Sequence, residues 1–485
     1  MKAFGKFISN RGFILLLTWC FVLTVLYSTL SILRHNHFQS GGFDLGLYDQ
    51  AVWKFGHWLG AYNTVKQRII FGDHLFLTLP FFGLLYYLWD DVRLLLIVQA
   101  GTIAFSAIPI FLIAKHRLVS KIAALCVAVV YSLFYGIQYG VYFDFHPIII
   151  GVAILSWFAY FWESKKTFLF WITLVIVLAT QENMGIALFC LSFLFIFRKK
   201  HRLLAVIVGI VGLTYSITAA RIISLWSPGG YQYWPELPKI ISDLFIRFFN
   251  SEEKRLVWFY SYANTGFIPL LSPGSVLAVF VDLFQYFVTG SEFSRMWSPF
   301  MHHRAILALF LILGTIDVLE FLKSKRVPIM CISFVLVTIS IGTQYYFHFP
   351  LNKLVKMDYW QEEPWMKDTR RMIKEVSKVV PIATQQNLVP HLSHRNEIYL
   401  IYPRKHNIAE APCGQTLCWW LDFGGKPEFL VVDTRPDQWL TQILETNENW
   451  NSALTNMEKV RRIEIIKQIG SMKMYRIYYN QGHVY

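Results

Sequence analysis

The residues of this chain best suited to chemistry lie in its first polar segment, between two glycines at residues 41–42 and a histidine at residue 74. Asp44 and Asp49 follow the glycine pair, and Asp73 stands directly before His74. A carboxylate there can act as a general base or bind a divalent cation such as Mg²⁺ or Mn²⁺. We predict that the first two aspartates are catalytic and that Asp73 and His74 bind substrate. The candidate metal ligands are Asp44, Asp73 and His74.

Structural roles for the same aspartates are the alternative. The glycine pair indicates that a helix begins at this point, so Asp44 would cap its first turn and Asp49 would be a solvated residue of the second turn. Five residues correspond to about 140° of helical rotation, so two helical aspartates at this spacing cannot share a face.

Further polar residues interrupt the apolar sequence at three places. Asp144 and His146 are framed by aromatic residues, although either could simply cap the helix that follows. Glu182 lies between two apolar runs, where an acid is costly unless it has a role, and a loop position is the alternative. His303 precedes Arg304, which could grip a phosphate with two parallel hydrogen bonds or else reach lipid headgroups. We predict that all five bind substrate.

The C-terminal part contains two more groups of reactive residues. Cys413 and Cys418 have four residues between them, and we predict a disulfide because no further Cys or His has the spacing of zinc ligands. His391, His394 and Arg395 fit one helical face, and we interpret them as structural residues of a small domain.

Composition identifies a membrane protein. The chain has 485 residues, of which 55% are hydrophobic and only 16% charged, and its apolar runs are long enough to cross a bilayer. The net charge of +14 is concentrated in short basic clusters between these runs. Such clusters are typical of cytoplasmic loops, so the charge does not require a nucleic-acid partner.

The basic clusters also constrain the topology. The clusters Lys115–Lys121, Ser164–Lys166 and Arg198–Arg202 cannot share one side if every apolar run crosses the membrane. They can do so if His74–Trp89, which is short and contains a proline and a glycine, does not span. We therefore predict about eleven membrane helices, a cytoplasmic N-terminus and the polar loops on the outer side. A helical hairpin would occupy Arg255–Val288.

The expected fold is an all-α polytopic membrane protein with a small soluble α/β domain. We predict a transmembrane domain over residues 1–349, whose first outer loop and juxtamembrane segment span residues 34–92, and an outer-face domain over residues 350–485. In the latter, Glu362–Val379 has the pattern of an amphipathic helix. The predicted strands are Pro381–Ala383, Ile398–Ile401, Phe429–Val432, Ile463–Ile469 and Met472–Tyr479.

Several motifs resemble one family of uncharacterised polytopic membrane proteins, defined as a domain of unknown function. They are FDLGLYDQAVW, FGDH before an apolar stretch, FDFHP, and NLVPHLSHRNEIY before a proline. The resemblance extends from about Arg34 to Asp433. Where that family commonly has a lysine followed by two acids, this chain has Gln181-Glu182-Asn183 and keeps only the glutamate.

That family resembles the GT-C glycosyltransferases, which use polyprenyl-phosphate sugars. The resemblance implies a cell-membrane (inner or plasma membrane) enzyme that transfers a sugar at the outer face, where the C-terminal domain would lie. Asp44 matches the catalytic acid of the first outer loop, with Asp49 second. Arg304 with His303 would hold the donor phosphate, membrane lipids would surround the chain, and the acceptor is not identified. The sugar would stack on the aromatic residues Phe43, Tyr48, Trp53, Phe55, Trp58 and Tyr62.

Two other classes of function remain open at the level of sequence. A transporter or lipid flippase would need ionisable residues at depth in the membrane, whereas here they concentrate at one surface. A non-enzymatic assembly protein of the cell envelope would need no pocket near the acidic loops.

Overall fold

The fold is mostly helical and ends in a small β-sheet. A computed structural model describes residues 11–479 except residues 228, 235–236, 402–420, 422, 437 and 445. Cys413 and Cys418, and with them the predicted disulfide, lie outside the described residues. The helices are α1 (Arg11–Asn36), α2 (Leu47–Gly56), α3 (Leu79–Phe82), α4 (Arg93–Phe105), α5 (Ala107–Leu118), α6 (Lys121–Ser132), α7 (Tyr135–Tyr142), α8 (Pro147–Glu163), α9 (Thr167–Thr180), α10 (Met184–Ile196), α11 (Arg202–Trp226), α12 (Ile241–Arg247), α13 (Glu252–Ala263), α14 (Pro273–Phe287), α15 (Ala305–Ser324), α16 (Ile329–Tyr346), α17 (Pro364–Glu375), α18 (Val389–Leu392), α19 (Trp439–Gln442) and α20 (Asn447–Lys459).

Five of the described helical segments are long and apolar enough to cross a bilayer. Helices α6 and α7, which meet at an angle of 45°, form a sixth candidate as a broken span. Four shorter apolar helices, α8, α9, α10 and α14, complete the set. The five long segments are Arg11–Asn36, Arg93–Leu118, Arg202–Trp226, Phe293–Ser324 and Ile329–Tyr346.

The segment predicted not to span and the predicted helical hairpin both consist of short, broken helices. Between His74 and Trp89 the chain forms only the four-residue helix α3 and the 3₁₀ helix Gly83–Tyr87, which are too short to span. The first half of the predicted hairpin forms helix α13 and a 3₁₀ turn at Ile268–Leu271, and the second half forms α14 from Pro273.

The chain divides into two compact units. The first comprises Met1–Ser31, Leu96–Arg221 and Tyr231–Tyr359, and the second comprises Ile32–Leu95, Ile222–Gly230 and Trp360–Tyr485. The first outer loop, which we assigned to the transmembrane domain, therefore belongs to the same compact unit as the C-terminal domain.

In the first unit the predicted basic clusters meet at one end of the helices. Arg117 of α5 bonds Glu163 of α8 through Nε at 2.9 Å and Asp317 of α15 through Nη1 at 2.5 Å. Arg198, which follows α10, bonds the same two carboxylates. The Lys323 ammonium donates to the carbonyl of Arg117 at 3.1 Å. The segments that carry the basic clusters thus share one end, as the topology argument required.

The second unit contains a five-stranded sheet in the order β4-β3-β5-β7-β6. Strand β3 is parallel to both β4 and β5, whereas β7 is antiparallel to β5 and β6. A separate hairpin pairs β1 with β2. The seven strands are β1 (Tyr62–Asn63), β2 (Arg68–Ile69), β3 (Ile382–Thr384), β4 (Ile398–Leu400), β5 (Phe429–Asp433), β6 (Ile463–Ile469) and β7 (Met472–Ile477). The predicted strands and the amphipathic helix (α17) are confirmed, with ends shifted by a few residues.

The topology of this sheet predicts a binding crevice at one of its edges. The chain moves from β3 to β4 on one side and then to β5 on the other, so the strand order reverses between β3 and β5. In α/β sheets a crevice opens beyond the carboxyl ends of the strands at such a point. Gln385, Gln386 and Asn387 follow β3 there and are all buried.

Candidate functional site

Asp44 lies on a single turn of π-helix. The N–H of Gly46 donates to the carbonyl of Gly41 at 3.0 Å, five residues back, and residues Gly42–Gly46 form the turn. Single π-turns are rare and occur frequently at functional sites. The Asp44 side chain is half-buried, whereas the flanking Gly42 and Leu45 are buried.

The two glycines of the π-turn permit close contact with the segment after β3. A Cβ on Gly46 would lie 2.6 Å from Val389 Cγ1, and a Cβ on Gly42 would lie 2.7 Å from Gln386 Oε1. The same Oε1 accepts a hydrogen bond from the Phe43 N–H at 3.0 Å. The crevice beyond β3 therefore holds the turn that carries Asp44.

Asp49, in the first turn of α2, is an anchor within the second unit. Its side chain is fully buried, and one oxygen accepts from the hydroxyl of Tyr86 and lies 3.1 Å from Nε2 of His394. The other oxygen accepts from the hydroxyl of Ser393. With both oxygens engaged and none of its surface exposed, this carboxylate is built to position its neighbours.

His394 lies between two carboxylates. Its Nδ1 lies 2.8 Å from Asp90, and its Nε2 faces Asp49. Burial lowers the pKa of His394, but the two carboxylates outweigh burial and raise it to about 10. The hydrogen bond from His394 likewise holds the pKa of Asp90 below its usual value. The imidazole is thus a cation that ties the loop before α4 to α2.

Asp73 is an ion-paired residue at the end of the first outer segment. Its carboxylate lies 3.3 Å from the ammonium of Lys66, which also stands 4.6 Å over the ring of Phe43. Burial raises the pKa of Asp73, but Lys66 and His74 reverse this and leave it below the usual value. Lys66 therefore links the predicted Asp73–His74 pair to the π-turn.

In the first unit, Asp144 has strained backbone and a buried side chain. Its φ of 122° is far outside the range that a non-glycine residue normally adopts. Gln99 of α4 stabilises this turn, donating to the Asp144 carbonyl at 2.7 Å and accepting from the His146 N–H at 2.7 Å. Strain of this kind is retained where the surrounding structure fixes it, often at a ligand site.

His146 is the first of three neighbouring imidazoles, of which the first two are stacked. Its ring lies 3.6 Å from that of His302, which in turn lies 4.0 Å from His303. His303 contacts the ring of Tyr286 at 4.7 Å, and the Tyr286 hydroxyl accepts from Asn183 at 3.4 Å. The predicted residues His146 and His303, which come from separate loops, are thus brought together with His302, Tyr286 and Asn183 in one buried cluster, which we call the histidine cluster.

Arg304 borders the histidine cluster and is completely buried. Its Nε donates to the carbonyl of Ser298 at 3.2 Å and its Nη2 to that of Met296, while the guanidinium lies over the ring of Tyr286 at 5.2 Å. Its Nη1 has no hydrogen-bond partner among the described residues. A donor left in this state is poised to donate to an anionic oxygen.

Two buried acids accompany the cluster. Asp282 of α14 accepts from Gln285 at 3.2 Å, and its second oxygen has no hydrogen-bond partner among the residues with described positions. Glu182 is also buried; its carbonyl accepts from Ser216 at 2.5 Å, and its carboxylate hydrogen-bonds to Tyr231. The sequence pattern assigned no role to Asp282, although an acid inside an apolar run was the available signal.

The predicted site residues thus fall into two groups, one in each compact unit. Asp44, Asp49, Asp73 and His74 belong to the second unit. The first contains Asp144, His146, Glu182, His303 and Arg304. Within the described part of the chain, no three His, Cys, Asp or Glu side chains are grouped as metal ligands would be, so the divalent cation stays a prediction.

Comparisons with known proteins agree with this architecture. Two crystal structures of ArnT from Cupriavidus metallidurans, a GT-C glycosyltransferase, share the fold over 96% of this chain. The one bound to undecaprenyl phosphate is 10% identical, with 97% of its chain covered and a TM-score of 0.50. The apo structure is 9% identical, with 98% of its chain covered and a TM-score of 0.54. No curated protein matches the sequence.

A family profile, by contrast, covers most of the chain. It matches residues 34–413, which include the π-turn, the histidine cluster and the segment after β3. The chain therefore belongs to the family of predicted membrane proteins described as DUF2079.

Proposed function

We propose that this protein is an integral-membrane glycosyltransferase that moves a sugar from a polyprenyl-phosphate donor to an acceptor. Asp44 is the general base toward the acceptor hydroxyl. Asp49 was the second catalytic candidate, but its buried and fully bonded carboxylate suits a supporting role. Asp44 suits the catalytic role better, because its half-buried side chain can be reached by a substrate and because it lies on a π-turn.

The observation that carries the proposal is the fold. ArnT shares it over nearly the whole chain and has been seen with undecaprenyl phosphate bound. In support, the first outer segment of this chain carries an acid on a turn held by two glycines and a glutamine. Fold alone does not define a reaction, so the site residues must carry the test.

For the donor phosphate we propose the histidine cluster with Arg304. The unused Nη1 of Arg304 is an available donor, and the adjacent rings of His302 and His303 supply further nitrogen atoms. A buried guanidinium favours a phosphate oxygen strongly because little water competes for it. Arg304→Lys should weaken donor binding, since a point charge replaces a planar fork.

We also propose an orientation. The basic clusters that share one end of the first unit would face the cytoplasm, together with the N-terminus, and the C-terminal domain would lie outside. Labelling of single cysteines placed at Lys199 and Lys459 with an impermeant reagent on intact cells tests this. Labelling of the former and protection of the latter would contradict it.

The decisive experiment is sugar transfer in proteoliposomes supplied with a panel of polyprenyl-phosphate sugars and a membrane extract as acceptor. We expect Asp44→Asn to lower the rate of transfer at least 100-fold, because a general base contributes about 10²–10⁴-fold to the rate. Asp358→Asn is the matched control, because this aspartate is exposed. Full activity of Asp44→Asn in folded protein would refute the assignment.

Transport of an anion or a lipid-linked anion is the second candidate, and Asp282 supports it. This acid is buried in the middle of an apolar helix, where transporters place ionisable residues. A transporter would lose flux across proteoliposomes in Asp282→Asn and keep it in Asp44→Asn. A glycosyltransferase would show no flux in either protein.

A further inference from the structure

The second unit contains a cavity that the proposed reaction does not use. Its volume is about 450 Å³. The walls come from the end of α1, the residues before α4, the end of α17 and the segment Pro390–Arg395. Helix α1 and the segment that begins with α4 are both candidate membrane spans, so the cavity lies where membrane helices end. Lipid headgroups occupy this level of a bilayer.

Two stacked imidazoles in this wall have unused ring nitrogens. His35 and His391 stack at 4.0 Å with an interplanar angle of 18°. His35 is only 4% exposed, and its Nδ1 has no hydrogen-bond partner among the described residues. The Nε2 atom of His391 is likewise buried and has no hydrogen-bond partner among these residues. Buried polar atoms are seldom left unpaired, so these two nitrogens call for a ligand that can pair with them.

The charge in the cavity favours an anion. Two acids line it: Asp91 binds Arg93 at 2.7 and 2.5 Å, and Asp90 lies 2.8 Å from Nδ1 of His394, which also contacts Asp49. Lys374 also lines the cavity, as does Lys378, and neither forms an ion pair with a described residue. The lining therefore carries more basic than acidic side chains, and its net charge is positive.

We propose that this cavity binds the phosphoryl group of a membrane lipid. His35 donates to its oxygens through Nδ1, His391 holds that ring by stacking on it, and Lys374 and Lys378 balance the charge of the ligand. An imidazole can offer an N–H at either nitrogen by choosing its tautomer, and the lysines lie at the exposed edge where a headgroup would enter. This site is independent of the proposed glycosyl transfer.

The test uses the full-length protein in an uncharged detergent and follows its thermal unfolding midpoint. The probes are dihexanoyl phosphatidylglycerol, inorganic phosphate, and dihexanoyl glycerol as the uncharged reference. We expect the phospholipid to raise the midpoint by several degrees, because a ligand that binds only the folded protein stabilises it. A shift with the phospholipid alone identifies a lipid headgroup, and an equal shift with phosphate identifies free phosphate as sufficient.

The variants decide whether the shift comes from this cavity. Lys374→Gln combined with Lys378→Gln should remove at least half of it, as should His391→Asn, while Lys367→Gln on the same helix should leave it intact. The two cavity lysines are exposed, so the double variant should fold even if His391→Asn does not. No shift in the natural sequence, or an equal shift in the double variant, overturns the proposal.

Discussion

The backbone N–H of Phe43 donates to Oε1 of Gln386 at 3.0 Å, across 343 residues of sequence. This bond joins the residue before Asp44 to the crevice where the strand order of the sheet reverses. In many α/β domains such a crevice holds a ligand. In this protein it holds a segment of the same chain, and the held segment presents the acid that we propose as the base.

Gln386→Ala should therefore lower sugar transfer more than it lowers stability. The lost hydrogen bond costs about 1 kcal/mol of unfolding free energy, whereas a displaced Asp44 loses its alignment with the acceptor. We expect kcat to fall at least tenfold, with little change in the KM for donor. Steady-state kinetics and thermal unfolding on the same preparation measure both effects.

Gln386→Glu provides the matched comparison, because it keeps an oxygen acceptor for the Phe43 N–H. It should retain most of the activity that the alanine variant loses. Equal loss in both variants would show that the hydrogen bond does not position Asp44.

Gly46→Ala tests the close packing of the π-turn. Its Cβ would lie 2.6 Å from Val389 Cγ1, so the turn or Val389 must move. Overpacking of this kind costs about 1–3 kcal/mol. Val389→Ala removes the clashing methyl and should restore part of the lost stability in the double variant, whereas simple additivity of the two losses would contradict the packing argument.

Much of this fold could be predicted from the sequence. The five strands of the sheet were visible as short apolar runs, and the shared end of the basic clusters followed from the positions of Lys115–Lys121 and Arg198–Arg202 between apolar runs. The partners of Asp49 could not be predicted. Tyr86 and Ser393 are 37 and 344 residues away from it, and no local pattern marks so distant a contact.

Loss of the buried Asp49 carboxylate should strongly destabilise the second unit. In Asp49→Asn the side-chain NH₂ group would face a hydroxyl that donates to the carboxylate, that of Tyr86 or Ser393. His394 would also lose one of its two carboxylate partners. Breaking a buried pair in this way costs about 3–5 kcal/mol. Asp90→Asn is the control: its side chain is 53% exposed, so screening by water limits the loss to about 1 kcal/mol. Similar unfolding midpoints for the two variants would contradict the anchoring role.

The same histidine should make stability depend on pH. The pKa of His394 is raised from 6.5 to about 10 in the folded protein, so its stabilising effect is complete below pH 6.5 and is lost as pH rises through 10. The unfolding midpoint should therefore fall between pH 7 and pH 10. His394→Gln should flatten this part of the profile, because other titrating groups are common to both proteins. Parallel profiles would show that His394 is not charged in the folded state.

In the first unit, the charged side chains of Arg117, Glu163, Arg198 and Asp317 should stabilise the fold as one cooperative cluster. Arg117 is buried, and its guanidinium and that of Arg198 share the carboxylates of Glu163 and Asp317. Glu163→Gln leaves two guanidinium groups with one carboxylate and should cost about 3 kcal/mol or more, seen as a lower unfolding midpoint. Glu320→Gln, on the exposed face of the same region, should change it little. Glu163→Gln leaves the positive charge of Arg117 without this partner, and Arg117→Met removes that charge. The double variant should therefore lose less stability than the sum of the two single losses. Strict additivity would show that these charges act independently.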